Sequence, residues 1–428
     1  MSNDQQMNDI IKIFKPRRFE NYIALLIALF IISSFLSYHI PFSISTGLRV
    51  TTTAIFVVMI IKNIKGNPIK GFTGFLYSIL VFWTFILILR FIIEDIPAHQ
   101  GVTFNKKLGD IFVSDNFIPY WLPLMLLCFG NNRAIDFKYF INISKQFGKL
   151  FLILLPFALY SMLSFKVDMD AITGEGSYSD LTANSTFGIV LLLPAFILIY
   201  FKKYLPKKEW WIYTASLIGA LLIGLYMARR GRSAMYILYF ASCWMLYLFC
   251  NKKGSKVAQI FGCVIVLTLC YIIFTNAQDS FFAILTERGF EDTRTLVEDN
   301  MIADMHGWDW IVGRGLFGEY YDTMFGYNRP DIETGYLALI LKGGIIYLAC
   351  FVGVLLSSAY KGLFKSNSIF VKAFAIIMIM AVIDLYPFGW PKFNFHYFTV
   401  WIGVYICNKQ AYRRLTDNDI YNMYFKTK

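Results

Sequence analysis

The sequence predicts an all-α, polytopic membrane protein of about 12 transmembrane helices with one large external loop, and three observations predict it. Charged residues make up 16% of the 428 and hydrophobic ones 57%, whereas soluble domains carry about 25% charged residues. Apolar runs close to the ~20 residues a helix needs to cross a bilayer recur along the chain. The loops between them alternate between rich and poor in Lys and Arg. The mean hydropathy of +0.53 thus belongs to the whole chain rather than to one segment. A membrane β-barrel would instead show alternating segments of ~10 residues.

In order, the apolar runs are 20–38, 44–62, 72–93, 117–131, 148–165, 184–201, 210–228, 233–250, 257–275, 334–360, 369–386 and 393–408. The first is followed by no small-residue cleavage pattern and reads as a retained span rather than a removed signal. Arg49 begins the second and Arg90 ends the third. The tenth contains "LKGGII", whose paired glycines read as a break between a short half-helix and a full one; it counts as one crossing. No linker, repeat or low-complexity tract divides the chain, so 1–428 reads as a single integral membrane domain with the loop 276–333 inside it. Cys128, Cys243, Cys250, Cys263, Cys270, Cys350 and Cys407 all fall in or beside apolar runs. None forms a CxxC pair, so they read as small core hydrophobes rather than disulfide or zinc partners.

Loop charge sets the orientation. The N-terminus, "KNIKGNPIK", "NNRAIDFKYFINISKQFGK", "KKYLPKK", "NKKGSK", "KGLFKSNSIFVK" and the C-terminal tail fall on one side, which collects about 26 of the 40 basic residues against about 7 acids. That is the positive-inside signature, and it places both termini in the cytoplasm. The net +12 divides into +19 cytoplasmic and −7 external. No nucleic-acid partner is needed to explain the pI of 9.2, because basic cytoplasmic loops face anionic lipid.

One turn opposes this rule. "RRGR", with Arg229, Arg230 and Arg232, joins the seventh and eighth spans on the external side. Snorkelling to headgroups is the ordinary reading. An anion site is the sharper one, since ionisable clusters at a membrane edge usually mark function and the planar Arg fork binds phosphate bidentately. Arg49 and Arg90 fall at the same edge and would extend it into a basic rim.

The one long polar segment, 276–333, belongs to a length class that is usually functional. Its first half is expected to form one or two amphipathic helices with Phe282, Leu285, Leu296 and Ile302 facing the bundle. Phe290, Trp308, Trp310, Phe317, Tyr320, Tyr321, Phe325 and Tyr327 interleave with carboxylates. That pattern suits a sugar-binding surface and equally an interfacial loop, where Trp and Tyr prefer the headgroup region. "GRGLFG", Gly313 to Gly318, matches G-x-G-x-x-G, but the dinucleotide fingerprint needs a strand before it and a helix after it. Its glycines read as a sharp turn that presents Arg314. His39, His99, His306 and His396 are external but scattered, with no HxxxH or HExxH spacing, so no metal site is argued.

Together, "ARRGRS", "EDTR" (Arg294), "IVGRGLFGEYY" (Arg314) and "ETGYLALILKGGIIYL" (Glu333 to Leu348) resemble the Wzy-type O-antigen polymerases and the related O-antigen ligases. The resemblance covers roughly the second half of the chain. It implies a glycosyltransferase of the membrane-embedded GT-C type, acting at the outer face of a bacterial cytoplasmic (inner) membrane without nucleotide sugar, cofactor or obligatory metal. Its donor and acceptor would be undecaprenyl-diphosphate-linked oligosaccharides, drawn from the lipid bilayer, with a chain-length regulator protein as partner. On this reading Arg229, Arg230, Arg232, Arg294 and Arg314 bind the donor diphosphate, with Arg49 and Arg90 beside them. Glu333 is the catalytic base or orients the acceptor hydroxyl, and Tyr336 opens the helix that follows. The alternative for Glu333 is a cap on that helix. Ligases usually carry His where Glu333 stands, which favours polymerase. A lipid-linked oligosaccharide transporter is the competing class, since it too would use many spans and a broken helix.

Overall fold

The computed structural model describes residues 22–30 apart from Ala24, 42–93, 118–130, 206–226, 293–323, 326–332, 334–388 and 393–422, with isolated positions between. Arg229, Arg230, Arg232 and Glu333 lie outside the described residues. So do nearly all the residues of the spans expected at 148–165, 184–201, 233–250 and 257–275.

The described chain is mostly helical. α1 spans Phe42–Asn63 and α2 Gly71–Ile93. α3, Ile118–Leu124, runs into a 3₁₀ turn, Met125–Cys128. α4 spans Lys207–Tyr226, α5 Thr293–Asp304 and α6 Trp308–Val312. A hairpin of β1, Tyr320–Asp322, and β2, Tyr327–Arg329, follows. α7 spans Gly335–Phe364, α8 Ile369–Phe388 and α9 Phe395–Asn408, and the short α10, Gln410–Arg414, and α11, Asp417–Tyr421, close the described chain. Among the described residues, three helices are long and apolar enough to cross a membrane: α2, α7 and residues 369–386 of α8. The protein is a helical membrane protein.

α7 is the central post. It packs against α2, α8 and α9 and buries Tyr347, Phe351, Val354 and Leu355 among Tyr77, Phe374, Phe398 and Trp401. At one end of this bundle Lys361 Nζ donates to Thr73 Oγ1 at 2.9 Å and Asn408 Oδ1 at 2.7 Å, tying α7 to α2 and α9. At the other, the loop end, residues 293–332 sit on the helices.

Three expectations are corrected. The run at 117–131 does not form a full-length helix in its described part. Pro123 lacks an N–H, the α-helix ends beside it, and the eleven residues to Cys128 rise about 18 Å, well short of a ~30 Å hydrocarbon core. In the loop, α5 turns a different face inward: Met301 is 0% exposed and Ile302 47%. The inward row is half-buried Val297, buried Met301 and, just past the helix end, buried Met305, packed against Tyr320, Ile332, Ala338 and Leu341. Phe282 and Leu285 lie outside the described residues. Finally the all-α expectation gives way in the loop to a short β-hairpin. The antiparallel pairing Tyr320↔Arg329, Tyr321↔Asn328 and Asp322↔Tyr327 is closed by Gly326, whose φ of 71° only glycine adopts at no cost.

Candidate functional site

The site is built around the break in α7. Gly344 has φ 72° and ψ 178°, so the helix stops after a nine-residue first half and restarts in a new direction. A break strands the carbonyls just before it, and inside a membrane protein each must find a donor. All three do. Leu341 O accepts from Arg314 N at 2.7 Å and Lys342 O from Gly315 N at 3.0 Å. Gly343 O accepts from Trp83 Nε1 of α2 at 2.8 Å. The break is therefore capped partly by the loop and partly by a neighbouring helix.

Glycine is what lets the loop come so close. A Cβ on Gly344 would lie 2.0 Å from Ile311 O, and one on Gly313 would lie 2.6 Å from both Lys342 O and Gly344 N. Gly313 also has φ 71°. "GRGLFG" thus turns sharply, as the sequence suggests, and the turn serves to dock its backbone onto "LKGG". Phe317 stacks on Phe91 of α2 at 4.9 Å and completes the seat.

The cations around the joint are all engaged with protein acceptors. Arg90 Nη1 donates to Val312 O at 3.2 Å and Gly313 O at 3.1 Å, pinning the loop to α2. Lys342, 1% exposed, donates from Nζ to Gly318 O at 2.9 Å. Arg314, expected to face a phosphate, makes four side-chain hydrogen bonds within the loop. Nε donates to Asp309 Oδ2 and Nη1 to Glu319 O and the Asp304 carboxylate. Nη2 donates to Asp304 O and pairs with Asp309. Partial burial opposes its charge, yet the hydrogen bonds and charges of Asp304 and Asp309 outweigh that and hold its pKa above the ordinary arginine value. A second pair, Arg329 Nη1 to buried Asp322 Oδ2 at 2.9 Å, fastens the hairpin, with Asn300 of α5 donating to the same carboxylate.

The other flank of the half-helix meets α8 and α9. Tyr336 Oη donates to Val382 O, and Thr334 Oγ1 donates to Glu298 of α5. Two turns of chain separate Tyr336 from the joint at Lys342. Beside Tyr336, His396 Nε2 lies 3.1 Å from Asp384 Oδ2, and both side chains are about nine-tenths covered. The Tyr397 ring stands edge-on to His396 at 4.9 Å.

Of the residues expected from sequence, then, Arg90 and Arg314 converge on the segment 312–314, and Tyr336 stands at the far end of the same half-helix. Arg294 lies in the first turn of α5, and Arg49 sits half-buried within α1. Trp83, Lys342 and the Asp384–His396 pair belong to the site without having been singled out from sequence. A lone Lys or Asp inside an apolar run marks function by default, so "ILKGG" and "VIDLY" carried that signal. His396 carried none, because its partner is on another helix. No group of three His, Cys, Asp or Glu placed to hold a metal occurs among the described residues. In sequence and structure comparisons the chain matches no protein-family model, no curated protein and no solved structure.

Proposed function

We propose that this protein is a membrane glycosyltransferase that polymerises undecaprenyl-diphosphate-linked oligosaccharide repeat units into O-antigen or a related surface polysaccharide. The topology of this reading is about 12 crossings in a GT-C-like arrangement, both termini cytoplasmic, with the loop end facing outward. One observation carries it. The stretches on which the resemblance to Wzy-type polymerases rests, "IVGRGLFG" and "YLALILKGG", are in direct backbone contact at one end of the helical bundle.

The roles divide by what each cation already holds. Arg90 and Arg314 fasten the loop. The donor diphosphate falls to Arg229, Arg230, Arg232 and Arg294, which stabilise the charge that builds on the leaving group, an effect worth about 10²–10³ in rate per donor in comparable sites. Glu333, three residues before Tyr336, orients the acceptor's sugar hydroxyl. A transporter draws support from the broken helix, but transporter breaks leave backbone carbonyls to line a substrate cavity. Here the three carbonyls before Gly344 are taken by protein donors.

The test uses purified full-length protein in lipid. Its probe is the lipid-diphosphate oligosaccharides that accumulate in the producing cell once this gene is deleted. Wild type should yield a ladder of lengthening lipid-linked polymer. Glu333→Gln should leave single units unjoined while inserting normally, since the amide keeps shape and capping but not charge. Extension only when a lipid A core acceptor is added would make the protein a ligase, and movement between leaflets without joining would make it a transporter.

A further inference from the structure

We propose that Lys361, Lys365 and Arg413, at the end of the bundle away from the loop, hold the phosphate of an anionic phospholipid. This inference stands apart from the glycosyltransferase reading, whose lipid-linked substrates belong to the loop end. Lys361 lies in the last turn of α7, Lys365 caps that helix, and Arg413 lies in α10. Arg413 and Lys365 both act on Lys361 as like charges. Three cations brought together cost free energy, and a bound anion would recover it.

Among the described residues no carboxylate pairs with any of the three. The acids of neighbouring α11 serve backbone donors instead: Asp417 accepts from Ile369 N at 2.9 Å and Asp419 from Thr416 N at 2.9 Å. Lys361 Nζ reaches two neutral oxygens, Thr73 Oγ1 and Asn408 Oδ1. Arg413 has less. Its half-buried side chain donates no hydrogen bond to the described residues, and its Nε is buried. A guanidinium so placed is costly without an acceptor, and its planar fork is suited to phosphate. The approach is open, because Lys365 is exposed, with its Nζ 5.7 Å from the centre of the Tyr360 ring.

The surroundings favour a lipid over a free anion. α7 is long and apolar enough to cross a membrane, so its last turn falls where hydrocarbon gives way to headgroups. Leu356, Tyr360 and Phe364 follow at a spacing of four toward that end, all exposed. Phe72 and Phe75 of α2 are exposed too, and they flank Thr73, whose hydroxyl meets Lys361. Acyl chains can lie along these faces while the phosphate meets the cations, as anionic lipids do at basic pockets between membrane helices. One bound lipid would then join α7 to α10, and through Thr73 and Asn408 brace α2 and α9.

The experiment follows thermal unfolding of the purified full-length protein in bilayer discs. The discs hold phosphatidylcholine alone, phosphatidylcholine with phosphatidylglycerol, or phosphatidylcholine with inorganic phosphate in the buffer. Phosphatidylglycerol should raise the wild-type Tm by a few degrees, since a ligand of the folded state stabilises it, and inorganic phosphate should not. Arg413→Gln should lose most of that rise and Lys365→Gln part of it. In phosphatidylcholine alone Arg413→Gln should unfold no lower than wild type, because it relieves a repulsion. Lys62→Gln, which removes an exposed charge from the last turn of α1, one short loop before α2, should keep the whole rise. No rise in wild type overturns the proposal, as does a full rise in Arg413→Gln or Lys365→Gln. An equal loss in Lys62→Gln would mean diffuse charge and no site. A lower Tm for Arg413→Gln in phosphatidylcholine alone would mean that the guanidinium serves the fold itself. An equal rise with inorganic phosphate would replace the lipid by a free anion. Each of these overturns the lipid site and leaves the polymerase reading untouched.

Discussion

Gly344 is the residue on which the candidate site turns. Its φ of 72° is strained for any other residue, and an added Cβ would strike Ile311 O at 2.0 Å, a backbone atom that cannot rotate away. Gly344→Ala therefore combines about 1–3 kcal/mol of backbone strain with a clash that unseats the loop. Gly47 is the control. It lies inside α1 with nothing within 4 Å of its would-be Cβ, so Gly47→Ala should leave Tm unchanged or slightly higher, as helix propensity favours Ala. Thermal unfolding of both variants in the same detergent checks the contrast, and equal Tm values would mean that the joint does not form. Trp83 supports the same break from the other side. Trp83→Phe keeps the ring but withdraws the N–H from Gly343 O. Leaving that carbonyl unsatisfied costs about 1–3 kcal/mol, read as a lower Tm with no loss of membrane insertion.

At the scale of elements, legibility followed the strength of the local signal. α1, α2, α4, α8 and α9 lie within a few residues of the expected runs, because a long apolar stretch leaves few alternatives to a helix. The break in α7 was equally readable, since two adjacent glycines in an apolar helix carry a backbone cost that only a break uses. α3 misled for the opposite reason. Hydropathy counts Pro119 and Pro123 as ordinary members of an apolar run, whereas the chain feels them as lost donors. α5 misled because several of its faces look amphipathic, and tertiary packing against Tyr320 and Leu341 chose the row ending in Met305. The site divides in the same way. Arg90, Arg314 and Tyr336 stood out as polar residues in telling places, while Asp384 and His396 become a pair only through the packing of α8 on α9.

For the whole molecule the decisive quantity is orientation. On the proposed topology, which rests on the +19 against −7 division of loop charge, "RRGR" and the loop end face outward and "KKYLPKK" inward. Single cysteines at Ser233 and at the exposed Trp308 should then react with a membrane-impermeant thiol reagent in intact cells, and one at Lys207 only after the cells are opened. Ser233 and Lys207 labelling from the same side would remove the external anion site. Trp308 labelling from the inside would remove the outer-face polymerase reading as well, because the loop would face the cytoplasm.

The seam between α2 and the loop also sets a timetable for biogenesis. Arg90 and its acceptor Val312 are 222 residues apart in the chain, and Trp83 and Gly343 are 260 apart. At a synthesis rate of about 5–20 residues per second, α2 waits roughly 10–50 s in the bilayer before its partners are made. Through that interval its guanidinium and indole N–H have no loop or broken helix to meet. The newborn chain therefore passes through a stage in which its early half is inserted but unfinished, and a premature stop before Leu341 would freeze it there, exposed to the proteases that clear orphaned membrane helices.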